Sequence, residues 1–261
     1  MLCGSLALIA WLLLSGGYAD QAENPYPAIL NRVLDGRQAS MRGDAFSFLQ
    51  IALVKTICVV AMSVVLSFIV GVTIAVMQLV RSKILRFAGT CYVEAIRGIP
   101  IFVMLLFIYF GLRPMLRFGG ESSLLNAFWS AVLALGLCYG SYLAEVIRAG
   151  ILAIPVEEIE AASLEGTKMQ VLTFVILPQA LRIIMPALAN ECINLTKDSS
   201  LIGVITVFDL TQSAQFYAGS TFRYFQTYAM LALIYLVLSL ILSRVQRTLE
   251  TMYGDSKAHR H

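Results

Sequence analysis

Several charged residues of this chain lie within or beside its long apolar segments. Glu145 and Arg148 stand in one such segment, Glu191 stands in another, and Lys197 and Asp198 follow that second segment. A charge at bilayer depth costs at least about 2.5 to 3.5 kcal/mol unless it is paired or hydrated, so such charges often mark a pathway. An arginine fork suits a carboxylate, and an aspartate suits an ammonium group. One hypothesis is therefore that Arg97 or Arg148 binds the carboxylate of a zwitterionic substrate and that Asp198 binds its ammonium.

Internal pairing is the alternative use of the same charges. Glu145 and Arg148 are three residues apart, which places them on one face of a helix. Lys197 and Asp198 could neutralise other side chains or lie near an interface. The sequence leaves both interpretations open.

The chain lacks the usual parts of an enzyme. No GxxxxGK[ST] run, Gly-x-Ser-x-Gly elbow or HExxH motif occurs in it, and its histidines, His259 and His261, are terminal. Its five cysteines have no CxxC spacing, so they indicate packing residues and not a metal site. The net charge of +3 is small and gives no support to nucleic-acid binding. We predict no catalytic residues, no metal and no cofactor, and any energy that the chain uses must come from a partner or from a gradient.

Composition predicts an all-α integral membrane protein. Hydrophobic residues make up 59% of the chain and charged residues 13%, and a helix needs about 20 apolar residues to cross a bilayer. Five core spans are predicted, with the second beginning early enough to include Glu94 and Arg97. The second span is predicted to end at 112. The other four are predicted at about 49–80, 124–147, 171–195 and 223–244. Residues 199–222 are mixed in character and are expected to form a short re-entrant or external connection.

Both ends of the chain are expected to lie outside the core. An apolar run at 6–14 is short, so it is either a cleaved signal or an extra transmembrane helix, and residues 1–47 would comprise this segment and an external linker. The transmembrane domain is assigned to 48–247, and a cytoplasmic tail to 248–261. Basic groups at 81–86 and 244–260 place those regions on the cytoplasmic side by the positive-inside rule.

An acidic amphipathic helix is predicted at 155–166, between the third and fourth spans. Pro155 suits a first helical turn, and Glu157 and Glu158 lie near the positive end of the helix dipole. Gly166 permits a left-handed stop. Val156, Ile159, Ala162 and Ser163 recur at helical spacing and predict a face that docks in a groove. In the third span, Gly136, Gly140 and Ala144 form a stripe that lets another helix approach closely.

Three motifs together resemble the permeases of ABC importers, in particular the branch for polar amino acids. They are YVEAIRGIP at 92–100, EAASLEG followed by ILP between 160 and 178, and PQALRIIMPALANECINLTKDSSL at 178–201. The similarity extends over roughly 48–245. This chain departs from the family pattern in having Glu157 and Glu158 where Gly-Gln is usual, Ile99 where Thr is common, and one residue fewer between Gly166 and Pro178.

The resemblance implies a permease in the bacterial inner membrane that takes up a polar amino acid. Its expected partners are two cytoplasmic ATPase subunits, a second copy or a sister permease, an external amino acid-binding protein and membrane lipid. The residues expected to couple the chain to the ATPase are Glu157, Glu158, Glu160, Ala161, Ala162 and Gly166. Those expected along the substrate pathway are Arg97, Ser141, Glu145, Arg148, Lys197, Asp198 and Ser199.

Two other functions compete with an ATP-driven permease. A gradient-driven transporter or channel would use the intramembrane charges without an ATPase and would need no role for residues 160–166. A structural scaffold would tolerate the loss of Arg148 and Asp198. Activity of this chain by itself would favour the gradient-driven transporter.

Overall fold

The computed structural model describes residues 45–115, 126–205 and 207–254, and it describes side chains from 52 to 252 within these ranges. The predictions for the apolar run at 6–14, its cleavage and the linker up to 44 lie outside the described residues. The described helices are α1 (Ala45–Leu79), α2 (Lys83–Gly98), α3 (Ile101–Met115), α4 (Ala127–Leu152), α5 (Val156–Glu165), α6 (Lys168–Ile205), α7 (Leu210–Thr221) and α8 (Tyr224–Gly254).

Four of these helices are long and apolar enough to cross a membrane. They are α1, α4, α6 and α8, and α2 with α3 would make a fifth span if the two form one broken crossing. The predicted all-α membrane fold is confirmed, with four or five candidate spans. α8 continues to Gly254, past the boundary at 247 that the sequence suggested.

The second predicted span is not one continuous helix. α2 and α3 meet at an angle of 99° around Ile99 and Pro100. A proline disfavours helical geometry at the residue before it, and Ile99 accordingly has φ −97° and ψ 124°. Glu94 and Arg97 therefore belong to α2, which ends at the bend, and not to a straight span that runs on to 112.

α1 and α4 pack closely because small residues face large ones across their contact. A Cβ atom added at Gly136 would lie 2.6 Å from Leu66 Cδ2, and one added at Gly140 would lie 2.7 Å from Val70 Cγ1. Ala144 is fully buried on the same stripe. The predicted close approach is confirmed, and its partner is α1.

α6 contains the irregularity that its prolines predict. Pro178 has no N–H to donate, and its ring would crowd the carbonyl four residues earlier in a regular α-helix. A π-helical segment, Val171–Ile176, directly precedes the turn that holds Pro178 and widens the backbone there. At its far end the helix changes to 3-10 geometry over Ser199–Ile205.

Residues 199–222 are helical over most of their length, in the 3-10 end of α6 (Ser199–Ile205) and in α7 (Leu210–Thr221). That they form a re-entrant or external connection stays a prediction. α7 begins after Asp209, whose Oδ1 accepts the Gln212 N–H at 2.9 Å as an N-cap. The N–H of Leu210 donates to Thr56 Oγ1 on α1 at 3.1 Å, and both residues are buried. α7 is thus anchored to α1 inside the fold.

The main apolar core lies where α1, α3, α4 and the 3-10 end of α6 meet. Its fully buried members include Val59, Leu105, Leu135 and Ile202. A smaller cluster joins Ile154, after α4, to Ala180 and Ile184 of α6. α4 takes part in the main core and leads directly into the smaller cluster, so its position determines the positions of the elements around it.

We predict that Gly136→Ala destabilises the chain. The added methyl would overlap Leu66, and overpacking of this kind costs about 1 to 3 kcal/mol. Thermal unfolding of the purified chain in detergent measures the loss. Gly219→Ala on α7 is the control, because nothing lies within 4 Å of its added methyl. Equal melting temperatures for the two variants would contradict the packing at Gly136.

We predict that Asp209→Asn weakens the pH dependence of stability. Burial raises the pKa of Asp209 to about 6, against an ordinary value of about 3.9 in unfolded chains. The folded state then holds the proton more tightly, so this group removes stability as the pH rises from about 4 to about 6 and has no further effect above. Asparagine keeps an acceptor for Gln212. Melting at pH 4.5 and 6.5 should show a smaller decrease for the variant, and identical decreases would exclude this role.

Candidate functional site

A cavity of about 500 Å³ opens where the bend between α2 and α3 faces the middle of α4 and the end of α6. Its walls carry both apolar and charged side chains. The lining residues are Ile96, Arg97, Gly98, Ile99, Pro100, Ile101, Cys138, Tyr139, Tyr142, Glu191, Asn194, Lys197 and Asp198.

The cavity has two cationic and two acidic side chains. Arg97 and Lys197 are exposed, and Glu191 and Asp198 are partly buried. The Arg97 guanidinium carbon lies 5.1 Å from the centroid of the Tyr142 ring, an arrangement that favours a cation. A site with charges of both signs can bind a carboxylate and an ammonium group at once.

Asp198 is held by a residue of another helix. The Tyr139 hydroxyl of α4 donates a hydrogen bond to Asp198 Oδ2 of α6 at 2.8 Å. Tyr139 is almost fully buried, and its ring centroid lies 5.8 Å from that of Tyr142. This bond joins α4 to α6 in the wall of the cavity and fixes the orientation of the Asp198 carboxylate.

Three of the predicted pathway residues come together in the cavity. These are Arg97, Lys197 and Asp198. Ser141 and Ser199 are fully buried, and their hydroxyls donate to the carbonyls of Cys138 at 2.6 Å and Thr196 at 2.7 Å.

Glu145 and Arg148 bind each other on α4, with Arg148 Nε donating to Glu145 Oε2 at 3.3 Å. Both side chains remain about one-third exposed, at 34% and 35%. This is the internal pairing that the spacing of the two residues allows. Their role in a pathway stays a prediction.

Four lining residues that carry polar groups lie outside the predicted pathway set: Tyr139, Tyr142, Glu191 and Asn194. Glu191 was conspicuous in the sequence as a charge in an apolar segment. Asn194 could have been found with it, because Glu191, Asn194 and Asp198 recur at helical spacing on one face of α6. Tyr139 and Tyr142 gave no comparable signal. The contact of Tyr139 with Asp198 joins residues 59 positions apart.

α5 forms the predicted surface helix between α4 and α6. Pro155 is its N-cap and not a residue of its first turn, and Glu157 and Glu158 occupy that turn. Gly166 has φ −107° and ψ 150°, so the predicted left-handed stop is wrong. The helix ends because the next one begins at once: Thr167 and Gln170 form a capping box that starts α6.

One side of α5 is attached to α6. Gln179 Nε2 donates to Glu158 Oε2 at 2.8 Å, and Ile159 packs against the cluster of Ile154, Ala180 and Ile184. Ala162 and Gly166 are half-buried. Ile159 and Ala162 therefore offer less surface for docking than their spacing alone suggests.

The opposite side of α5 is open. Leu164 is 87% exposed and Val156 is 62% exposed, and Glu157, Glu160 and Ala161 lie on the same side of the helix. This surface combines carboxylates with two bare apolar side chains outside the candidate spans. We call these five residues the outer face of α5.

Comparison with known proteins gives consistent similarities over most of the chain. It is 38% identical over 202 residues to a Bacillus subtilis (strain 168) protein named probable glutamine ABC transporter permease protein GlnM, a match that covers 77% of this chain and 90% of that protein. It is 33% identical over 204 residues to the arginine transport system permease protein ArtQ of the same organism, covering 78% and 91%.

A solved structure is similar as well. A crystal structure described as an amino acid ABC transporter with histidines contains a chain that superposes with a TM-score of 0.72 at 36% identity, over 78% of this chain and 93% of that one. The family model for binding-protein-dependent transport system inner membrane components matches residues 63–252. That match spans most of the sequence, so this multi-pass chain belongs to the binding-protein-dependent family of ABC importer permeases.

Proposed function

We propose that this chain forms the membrane pathway through which a bacterial ABC importer takes up a polar amino acid across the inner membrane. Two cytoplasmic ATPases would drive it, an external binding protein would deliver the substrate, and a second copy or a sister permease would complete the pathway. Two of its relatives are named as glutamine and arginine permeases, which supports this substrate class.

The cavity is the observation that carries the proposal. Arg97 and Asp198 offer opposite charges to one space of about 500 Å³, which suits a zwitterion of amino acid size. We assign the substrate carboxylate to Arg97 and the ammonium to Asp198. Apolar lining residues such as Ile96 and Ile101 offer contacts to the non-polar atoms of the substrate.

α5 is the proposed site of ATPase binding. Its outer face is free, while Glu158 and Ile159 attach its inner side to the packing between α4 and α6. Because α5 directly connects α4 with α6, a force on its outer face is transmitted to the two helices that carry Tyr139 and Asp198. Closure of the ATPases would thereby switch the pathway between its two openings.

We predict that Asp198→Asn and Arg97→Gln each reduce uptake about tenfold or more. Each removes one charged contact, and a hydrogen bond to a charged group contributes about 1.5 to 3 kcal/mol. Uptake of each of the twenty labelled amino acids by cells that express the full transporter identifies the substrate and measures the loss.

The controls for this experiment are Glu250→Gln and Arg247→Gln. They make the same chemical changes at the end of α8, away from the cavity residues. If the cavity variants transport as well as these controls, the assignment of the pathway to this cavity is wrong.

We predict that Leu164→Ala weakens ATPase binding without loss of chain stability. The side chain is 87% exposed, so its removal leaves the packing of the chain intact but takes an apolar contact from the outer face of α5. Tagged chains purified from native membranes, followed by identification of partners by mass and an ATP hydrolysis assay, measure the effect.

Met252→Ala, at a 69% exposed position on α8, is the matched control for Leu164→Ala. Capture of the ATPase should fall with Leu164→Ala alone. Equal capture of the ATPase by the two variants would show that α5 is not its binding site. A wild-type chain that transports without any ATPase would instead identify a gradient-driven transporter.

A further inference from the structure

α4 and α6 contact each other at two levels that differ in chemistry. Near α5, a Cβ added at Gly150 would lie only 2.3 Å from Ile184 Cγ1, so the two helices are in tight apolar contact there. Farther along, the contact is the hydrogen bond from Tyr139 to Asp198. At 1.5 Å per residue, the two levels are separated by roughly 17 Å along α4 and 21 Å along α6.

The two contacts respond differently to a movement of α5. The contact between Gly150 and Ile184 is apolar and has no preferred direction, so the two helices remain in contact there after small displacements. The polar contact has a defined length of 2.8 Å and a defined donor, so it is either formed or broken. A change in the angle between α4 and α6 that pivots near Gly150 is therefore felt most at Tyr139 and Asp198.

Asp198 is also the carboxylate that we assign to the substrate ammonium, and this inference rests on that assignment. Both Tyr139 and Asp198 line the cavity. The Tyr139 bond has a charge on its acceptor only, whereas an ammonium at Asp198 brings a charged donor as well and makes the stronger pair. Substrate in the cavity consequently turns the carboxylate toward the ammonium and out of line with the Tyr139 hydroxyl.

The geometry points to Tyr139 as a positioning residue that ties Asp198 of α6 to α4 until a substrate ammonium takes its place. Through this bond, occupancy of the cavity controls how firmly α4 and α6 hold together. α5 links the same two helices, so the bond restrains the ATPases when no substrate occupies Asp198. Tyr139 thus couples substrate recognition to ATP hydrolysis.

The test is the rate of ATP hydrolysis by the complete transporter, purified by a tag on this chain and reconstituted in vesicles. Tyr139→Phe keeps the ring and removes only the hydroxyl, and it should raise hydrolysis without amino acid about tenfold, as expected for the loss of one bond to a charged group. Stimulation by binding protein with glutamine, arginine or the amino acid identified by uptake should fall by the same factor, while the maximal stimulated rate stays within about twofold. A merely structural defect would lower that maximal rate.

Tyr228→Phe on α8 is the matched control. Tyr228 does not line the cavity, and its contact with Tyr224 is made through its ring, which phenylalanine retains. Its hydrolysis without amino acid should remain near that of wild type. A Tyr139→Phe transporter that behaves like Tyr228→Phe overturns the inference.

Asp198→Ala removes the acceptor of the same bond and should raise hydrolysis without amino acid equally. Adding Tyr139→Phe to it should have little further effect, since the bond is already lost. An unchanged rate in Asp198→Ala, or full additivity in the double variant, also overturns the inference. Normal uptake by Asp198→Asn would contradict the proposed pathway instead, so the two failures are distinguishable.

Discussion

The close packing of α1 against α4 is the contact on which the rest of the structure depends. Inside a bilayer, lipid tails are as apolar as leucine, so helices associate through van der Waals contact, which requires small residues where their backbones meet. Gly71, Gly136 and Gly140 supply that contact, and a Cβ at any of them would lie under 3 Å from a neighbouring side chain. This packing holds α4 in one position. Every other feature of the candidate site is placed relative to it.

α4 contributes to each part of that site. Its middle supplies Tyr139 and Tyr142 to the cavity, and its inner turns carry the Glu145–Arg148 pair. α5 follows after only a short connection at its end. Since α4 is one continuous helix, it can carry displacement from a surface contact at its end to the polar site at its middle. α6, interrupted by Pro178 and by 3-10 geometry after Asp198, is the more deformable partner.

The charges show how a membrane protein keeps ionised groups at tolerable cost. Glu145 is neutralised by Arg148 on its own helix, while Arg97 lies over the ring of Tyr142 beside an open cavity. In the first arrangement the two charges neutralise each other within the chain, so a substrate would gain less binding free energy from either of them. The second keeps the guanidinium accessible to a carboxylate. Charges that look equivalent in the sequence therefore have different capacities to bind a ligand.

The sequence by itself determined the class of fold, the approximate spans and the surface helix. The length of an apolar run and the spacing of Gly136, Gly140 and Ala144 are patterns within one helix. They can therefore be recognised without knowing which helix packs against it. Arg97, Lys197 and Asp198 were identified for the same reason, since a charge next to an apolar run is conspicuous. Asp209 was visible only as a polar residue in a mixed segment, and its role as the cap of α7 was missed.

Only the tertiary structure decided which of these residues meet. Pro100 breaks the helix locally, but the angle of 99° between α2 and α3 depends on how α3 packs in the main core. The bond between Tyr139 and Asp198 joins two helices across 59 residues of chain. No local pattern encodes such a contact, because its formation depends on the packing of α4 against both α1 and α6. The sequence determined which side chains each helix carries, and the packing of the helices decided which of those side chains line one cavity.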